Sequence, residues 1–311
     1  MNSFSYPTSE SFNFGGLTNQ DYKKARVAVL LVPYESTTYY KSGTKSGPQA
    51  IIEASRHMEL YDLDRKKAIK ETDIFTLDEL EPSKNLPKEM IIRIRDVVDR
   101  ILEDKKAPFI LGGEHSITTG PVLALKNKGF NFSVLQIDAH SDLRDEFQDT
   151  KYHHGCVMRR VRNLIPSVVQ VGIRSMSPEE AEYVESKKIN NIFYKKDGLP
   201  VEKIISSLKE NVYLTFDLDA LDPSIMPSVG TPEPGGFMWD EIINFLEKLG
   251  KERNIIGADV VELSPIPGLI GPDFLAARLV YKIIGLILDK KYVGPEVKPE
   301  IKPEIKQEVI L

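Results

Sequence analysis

Short apolar runs recur along the chain at residues 26–32, 108–111, 132–137, 168–171, 191–194, 212–216 and 255–261. They are rich in β-branched residues and apolar at consecutive rather than alternate positions. That marks strands buried on both faces, as in a parallel sheet covered by helices. Residues 72–77 form a weaker eighth candidate. Between the runs lie amphipathic stretches of helical period. Residues 48–60 open with Pro48 at a first helical position. Residues 87–103 space Ile91, Ile94, Val98 and Ile101 at helical intervals. Residues 178–188, 200–209, 240–249 and 273–288 continue the pattern. Strand–helix alternation of this kind predicts a doubly wound α/β protein, a three-layer α/β/α sandwich around a mostly parallel sheet of about eight strands.

No linker divides residues 1–293, which are expected to form one catalytic domain. Residues 294–311, GPEVKPEIKPEIKQEVIL, alternate charges with prolines and cannot build a core of their own. They read as a tail, with docking on a neighbouring subunit as the alternative.

Composition narrows the function. The chain carries 41 Lys+Arg against 46 Asp+Glu, a net charge of −5, without a lysine-rich stripe. Nucleic acid is therefore not an expected partner. No apolar run approaches the about 18 residues of a membrane span. The start of the chain has neither a basic nor an apolar segment of the secretory kind. A single cysteine, Cys156, excludes a disulfide framework and a cysteine-based zinc site and reads as packing. A cytoplasmic protein that meets no membrane is the expectation.

Chemistry in open α/β sheets gathers at the carboxyl ends of strands, so the residues after each run carry the information. Run 108–111 is followed by Gly112-Gly113-Glu114-His115-Ser116. Run 132–137 is followed by Asp138-Ala139-His140-Ser141-Asp142, which puts two acids and a histidine on one side of an extended segment. Run 212–216 ends in Asp217-Leu218-Asp219-Ala220-Leu221-Asp222-Pro223. Two carboxylates at the end of a buried strand are costly without a positive partner. That segment supplies no lysine or arginine, so a cation is the natural partner, whereas Asp222 before Pro223 reads as a turn former. Two histidines and four aspartates exceed what one tetrahedral zinc takes. They suit two divalent ions bridged by carboxylates, with Mn2+ favoured by the mixed oxygen and imidazole donors and Zn2+, Fe2+, Co2+ or Ni2+ as alternatives. Such a pair lowers the pKa of bridging water and supplies hydroxide near neutrality. Glu262 ends the run 255–261 and needs a cationic partner, with a structural ion pair to Arg278 as the alternative. His57, among Arg56 and Glu59, reads as an incidental helical histidine.

These motifs resemble the ureohydrolase family, which includes arginase and agmatinase. GGEHS at Gly112, DAHSD at Asp138, HG at His154, DLDALDP at Asp217, GTPEPGG at Gly230 and DVVELSP at Asp259 follow the family's order and separation over about residues 27–288. The resemblance implies an arginase-like fold and two metal ions. His115 and Asp142 would complete one ion, His140 and Asp219 the other, and Asp138 and Asp217 would bridge both. It also implies that the bridging hydroxide attacks a guanidinium carbon, that Glu262 pairs with the guanidinium, and that His154 shuttles protons. His154 rather than His153 takes that role because Gly155 follows it. Trimers or hexamers are common in the family, so a homo-oligomer is expected.

Agmatine, yielding putrescine and urea, is the expected substrate. Arginases typically read D-I-N-T after the DAHxD aspartate, whereas this chain reads Leu143-Arg144-Asp145-Glu146, and residues 231–236 look like agmatinase. Asp145, Glu146 or Glu233 could attract the distal ammonium of a small cationic guanidino substrate, while Arg144 would suit an anionic tail. N1-aminopropylagmatine, guanidinobutyrate and arginine are the alternatives within the family. A metallophosphoesterase would need histidines after His154, and there are none. A non-catalytic relative that binds a partner should have lost ligands, and all six candidate ligands are present.

Overall fold

The computed structural model describes residues 11–84 and 87–295. In chain order its elements are β1 (Val27–Val32), α1 (Gly47–Ser55), β2 (Tyr61–Asp62), β3 (Lys67–Ala68), β4 (Ile74–Thr76), α2 (Pro87–Glu103), β5 (Ala107–Gly112), α3 (Thr119–Asn127), β6 (Ser133–Ile137) and α4 (Val157–Leu164). There follow β7 (Val168–Ile173), α5 (Pro178–Ser186), β8 (Ile192–Tyr194), α6 (Val201–Ser206), β9 (Asn211–Asp217), α7 (Trp239–Glu252), β10 (Asn254–Val261) and α8 (Ile270–Leu288). Eight strands form one sheet in the order β4-β1-β5-β10-β9-β6-β7-β8, and every pairing within it is parallel. β2 and β3 make a small antiparallel hairpin apart from it.

The eight strands sit on the eight sequence runs because continuous apolar segments can be buried on both faces at once. Each face of the sheet has its own core. Phe109 and Leu111 of β5 join side chains of α1, α6, α7 and α8, while Ile110 joins those of α2, α3 and α4. The sequence pattern missed two helices. α3 has seven of its nine residues buried, so it shows no polar face, and α4 is eight residues with three arginines. α1 ends at Ser55 and α6 at Ser206, earlier than the periodicity extends. Nearly all of the charged C-terminal segment, from residue 296 on, lies outside the described residues. No described helix is long and apolar enough to cross a membrane.

The sheet order positions the motifs. β5, β10, β9 and β6 are consecutive neighbours at its centre, and each runs directly into one of them. Val261 stands level with Asp217, Phe216 with Ile137, and Val260 with Leu111. Motifs far apart in sequence therefore emerge side by side at one end of the sheet, at the carboxyl ends.

Candidate active site

Asp138 leaves β6 fully buried and is held by its neighbours. Gln136 Nε2 donates to its Oδ2 at 2.5 Å, and the backbone N–H of His140 donates to its Oδ1 at 2.5 Å. Behind them Gln170 donates to Gln136 at 2.5 Å and Arg162 donates to Gln170 at 2.9 Å, a polar chain with no pattern in the sequence. The 138–142 turn is fixed from the far side by Glu180. It completes a capping box with Ser177 at the start of α5 and also accepts from Ser141 Oγ and the Leu143 N–H, both at 2.7 Å. Asp142 takes a left-handed φ of 52° and Glu262 one of 68°. Such backbone costs of order 1 kcal/mol or more and collects at functional sites.

Two groups of metal-capable side chains result, His115–Asp138–Asp142 and Asp138–His140–Asp219, with ligand atoms within 4.8 Å of one another in each. His115 Nδ1 lies 3.1 Å from Asp138, 3.2 Å from Asp142 and 3.2 Å from Asp217. His140 Nδ1 lies 2.8 Å from Asp219 and 3.8 Å from Asp138. Asp138 thus faces both histidines. Burial would strip His115 and His140 of a proton, but the surrounding carboxylates outweigh it and push both pKa values well above the usual range. Asp138 and Asp217 are pushed up by burial and by the neighbouring aspartates.

Divalent ions fit this cluster. His115 Nδ1 is buried without a hydrogen-bond partner, although three carboxylates surround it. Its other nitrogen is committed: Nε2 stands 2.9 Å from Thr215 Oγ1, which donates to Asp259 at 2.6 Å. With the Thr215 proton on Asp259, Nε2 keeps a proton, so Nδ1, whose proton the acids stabilise, is the nitrogen a metal cation would take over. A ring nitrogen among three carboxylates calls for positive charge, and the four aspartates balance two divalent ions.

Above the cluster opens a cavity of about 240 Å³. Its wall includes His154, Glu262, Glu233, Arg144, Tyr39 and Lys41. Glu262 is buried, and its Oε1 accepts the His115 N–H at 2.6 Å. Burial pushes its pKa well above the usual value. No lysine or arginine pairs with it among the described residues, and Arg278 instead donates to the Glu59 carbonyl. Burial and the charges nearby lower the His154 pKa to about 3, so the ring is neutral at ordinary pH.

The three acids suggested for the substrate's tail part company. Glu233 lines the cavity, 3.7 Å from His140 Nε2. Asp145 is taken by Arg160 at 2.5 Å, and Glu146 is exposed; neither lines the cavity. Arg144 does line it, with its guanidinium 4.6 Å from the Phe147 ring centre. Asp222 is the turn former its proline suggested: its carboxylate accepts from the Ser224, Gly235 and Gly236 N–H groups. Gly236 passes so close that a Cβ there would sit 2.4 Å from Leu221 and Asp222 backbone. Arg174 ties this loop to the cluster, donating to the Asp219 carbonyl at 2.6 Å and the Glu233 carbonyl at 2.9 Å. Cys156 is buried, and burial raises its thiol to about 12. His57 is on the surface beside Glu53.

Fold and site define a class: a parallel α/β protein with a carboxylate–imidazole cluster of metal-binding chemistry beneath a polar cavity. Comparison with known proteins narrows the class. A family model described as the arginase family matches residues 25–285, and the chain belongs to that family. It is 38% identical over 275 residues to the N(1)-aminopropylagmatine ureohydrolase of Synechocystis sp., covering 85% of this chain and 90% of that protein. It is 33% identical over 274 residues to the agmatinase of Pyrococcus horikoshii, covering 87% and 95%. Among solved structures, the agmatine ureohydrolase of Thermoplasma volcanium superposes with a TM-score of 0.79 at 30% identity, covering 89% of this chain and 94% of that one. The chain is therefore a ureohydrolase of the arginase family, and its sheet has that family's fold.

Proposed function

We propose that the protein hydrolyses a linear, cationic guanidinoalkylamine, releasing urea and leaving a polyamine. Glu262 carries this reading: a buried carboxylate lining the cavity that pairs with no lysine or arginine among the described residues. A planar guanidinium offers it paired N–H donors. Two divalent ions held by His115, Asp138, His140, Asp142, Asp217 and Asp219 would polarise water and bring its pKa toward neutrality, with Mn2+ suited to these donors. Glu262 orients the guanidinium carbon toward that water. As water adds and the C–N bond to the alkyl chain breaks, the oxygen stays in urea and both water protons must reach the departing nitrogen, which leaves as an ammonium. His154, neutral and on the cavity wall, would carry one of them. The balance is guanidinium plus water to urea plus alkylammonium.

Two chain lengths compete. N1-aminopropylagmatine is favoured by the Synechocystis relative and by the Thermus thermophilus and Thermococcus kodakarensis proteins of the same name, at 37% and 35% identity. Agmatine is favoured by the Pyrococcus horikoshii relative and the GTPEPGG loop. Glu233 sits where an ammonium on either tail could reach it. Urea release from agmatine, N1-aminopropylagmatine, arginine and guanidinobutyrate, with Mn2+ supplied, tests the proposal. Turnover of either cationic amine is expected. Turnover of arginine or guanidinobutyrate alone would overturn it and assign Arg144 to an anionic tail.

A further inference from the structure

The loop after β1 supports the cavity wall from behind. We infer that Thr37, backed by Glu114, is the positioning residue that fixes which nitrogen of His154 exchanges protons. This rests on the reading of His154 as the proton carrier and deepens it.

Glu114 is fully buried and accepts four donors: the Ser36 N–H at 2.6 Å, the Thr37 N–H at 2.7 Å, Ser116 Oγ at 2.6 Å and Thr37 Oγ1 at 3.0 Å. Gly113 makes this possible, since a Cβ there would lie 2.1 Å from the Tyr34 carbonyl oxygen. The close approach brings the 34–37 segment over the carboxylate. Thr37 Oγ1 in turn accepts the His154 backbone N–H at 3.0 Å and stands 3.0 Å from His154 Nδ1.

A hydroxyl has one proton and two lone pairs. The Thr37 proton goes to Glu114, and one lone pair takes the His154 N–H. The remaining lone pair faces Nδ1, so Nδ1 must bring the proton. In the neutral ring Nε2 is then the bare nitrogen. When the ring is charged, Nδ1–H still faces Thr37 and only the Nε2 proton is free to leave. Thr37 therefore makes His154 a carrier through one atom. Without it the other tautomer, with a proton already on Nε2, competes. That fraction of the enzyme cannot take a proton as water adds to the guanidinium carbon.

Steady-state kinetics of the metal-loaded enzyme on agmatine or N1-aminopropylagmatine, whichever it turns over, test this. Thr37→Val is expected to lower kcat about tenfold or more, on the scale of removing an orienting partner of a functional histidine. KM and metal content should stay near those of the parent, and Thr37→Ser should restore most of the rate. In a His154→Ala background, Thr37→Val should cost nothing further. Full activity of His154→Ala would remove the reading of His154 itself. A Thr37→Val enzyme at parental kcat, or one equally impaired with and without His154, would overturn the role of Thr37 while leaving that reading intact.

Discussion

Two histidines of this protein are held in the same manner but sit in opposite surroundings, and the proposal gives them opposite tasks. His115 is backed through Nε2 by Thr215, whose hydroxyl is committed to the buried Asp259. His154 is backed through Nδ1 by Thr37, whose hydroxyl is committed to the buried Glu114. In both, a carboxylate–threonine pair dictates the tautomer, and the opposite nitrogen is left for chemistry. What differs is the surroundings of that nitrogen. For His115 it meets three aspartates within 3.2 Å, and carboxylates push its pKa up. For His154 burial, His153, His115 and His140 push the pKa down to about 3. One kind of support thus stands behind the histidine proposed as a metal ligand, where the neighbours are anions, and behind the one proposed as a proton carrier, where burial and other imidazoles dominate.

The largest effects should separate the two. His115→Ala is expected to abolish urea release and lose bound metal, while His154→Ala keeps its metal and loses about 10²- to 10⁴-fold in kcat. Metal analysis beside kinetics decides it; equal metal loss in both variants would erase the distinction. A step smaller, Thr215→Val should weaken metal binding about 10- to 100-fold, with kcat near the parental value at saturating Mn2+. Metal titration reads this directly, and a kcat defect that excess metal does not repair would make the two threonines equivalent.

Glu233 tests the reach of the comparison toward the cavity mouth. Glu233→Gln should raise KM for the cationic amine about fivefold, the worth of a partly exposed ion pair of about 1 kcal/mol. An unchanged KM would remove it from substrate binding. The last effect concerns stability rather than catalysis. Burial and Arg144 lower the His153 pKa from 6.5 to about 4. Between those values the unfolded chain holds a proton that the folded one does not. Stability should therefore fall as pH drops through that range, by up to about 1.4 kcal/mol per pH unit for this group. His153 Nδ1 accepts the Gly155 N–H, which an asparagine can also do. His153→Asn should accordingly flatten the acid limb of a denaturation series while lowering neutral stability through the lost ring contact with Phe147; an unchanged slope would count against a neutral, buried His153.

Much of this was legible beforehand, for local reasons. All eight strands of the sheet coincide with apolar runs, because burial on both faces leaves an unbroken signature. The six aspartates and histidines of the cluster follow those runs within a few residues, so their convergence follows from the sheet itself. The same reading could not rank the tail acids. Asp145 and Glu146 adjoin the motif in sequence, yet Asp145 is held by Arg160 and Glu146 points to solvent, whereas Glu233, further along the chain, reaches His140. The buried helix α3 escaped detection because it has no polar face to contrast with.

What the sequence alone determined was the class of fold, the end of the sheet where chemistry belongs and the identity of the ligand-type residues. These depend on periodicity and on side chains adjacent to strands. What only the tertiary structure decided was the support behind them. Thr37 is 117 residues from His154, and Thr215 is 100 residues from His115. Hydroxyls at that separation leave no pattern in the chain. Parallel strands reordered in the sheet bring them within 3.0 Å of the imidazoles, and there the single proton of each threonine settles which ring nitrogen is free to act.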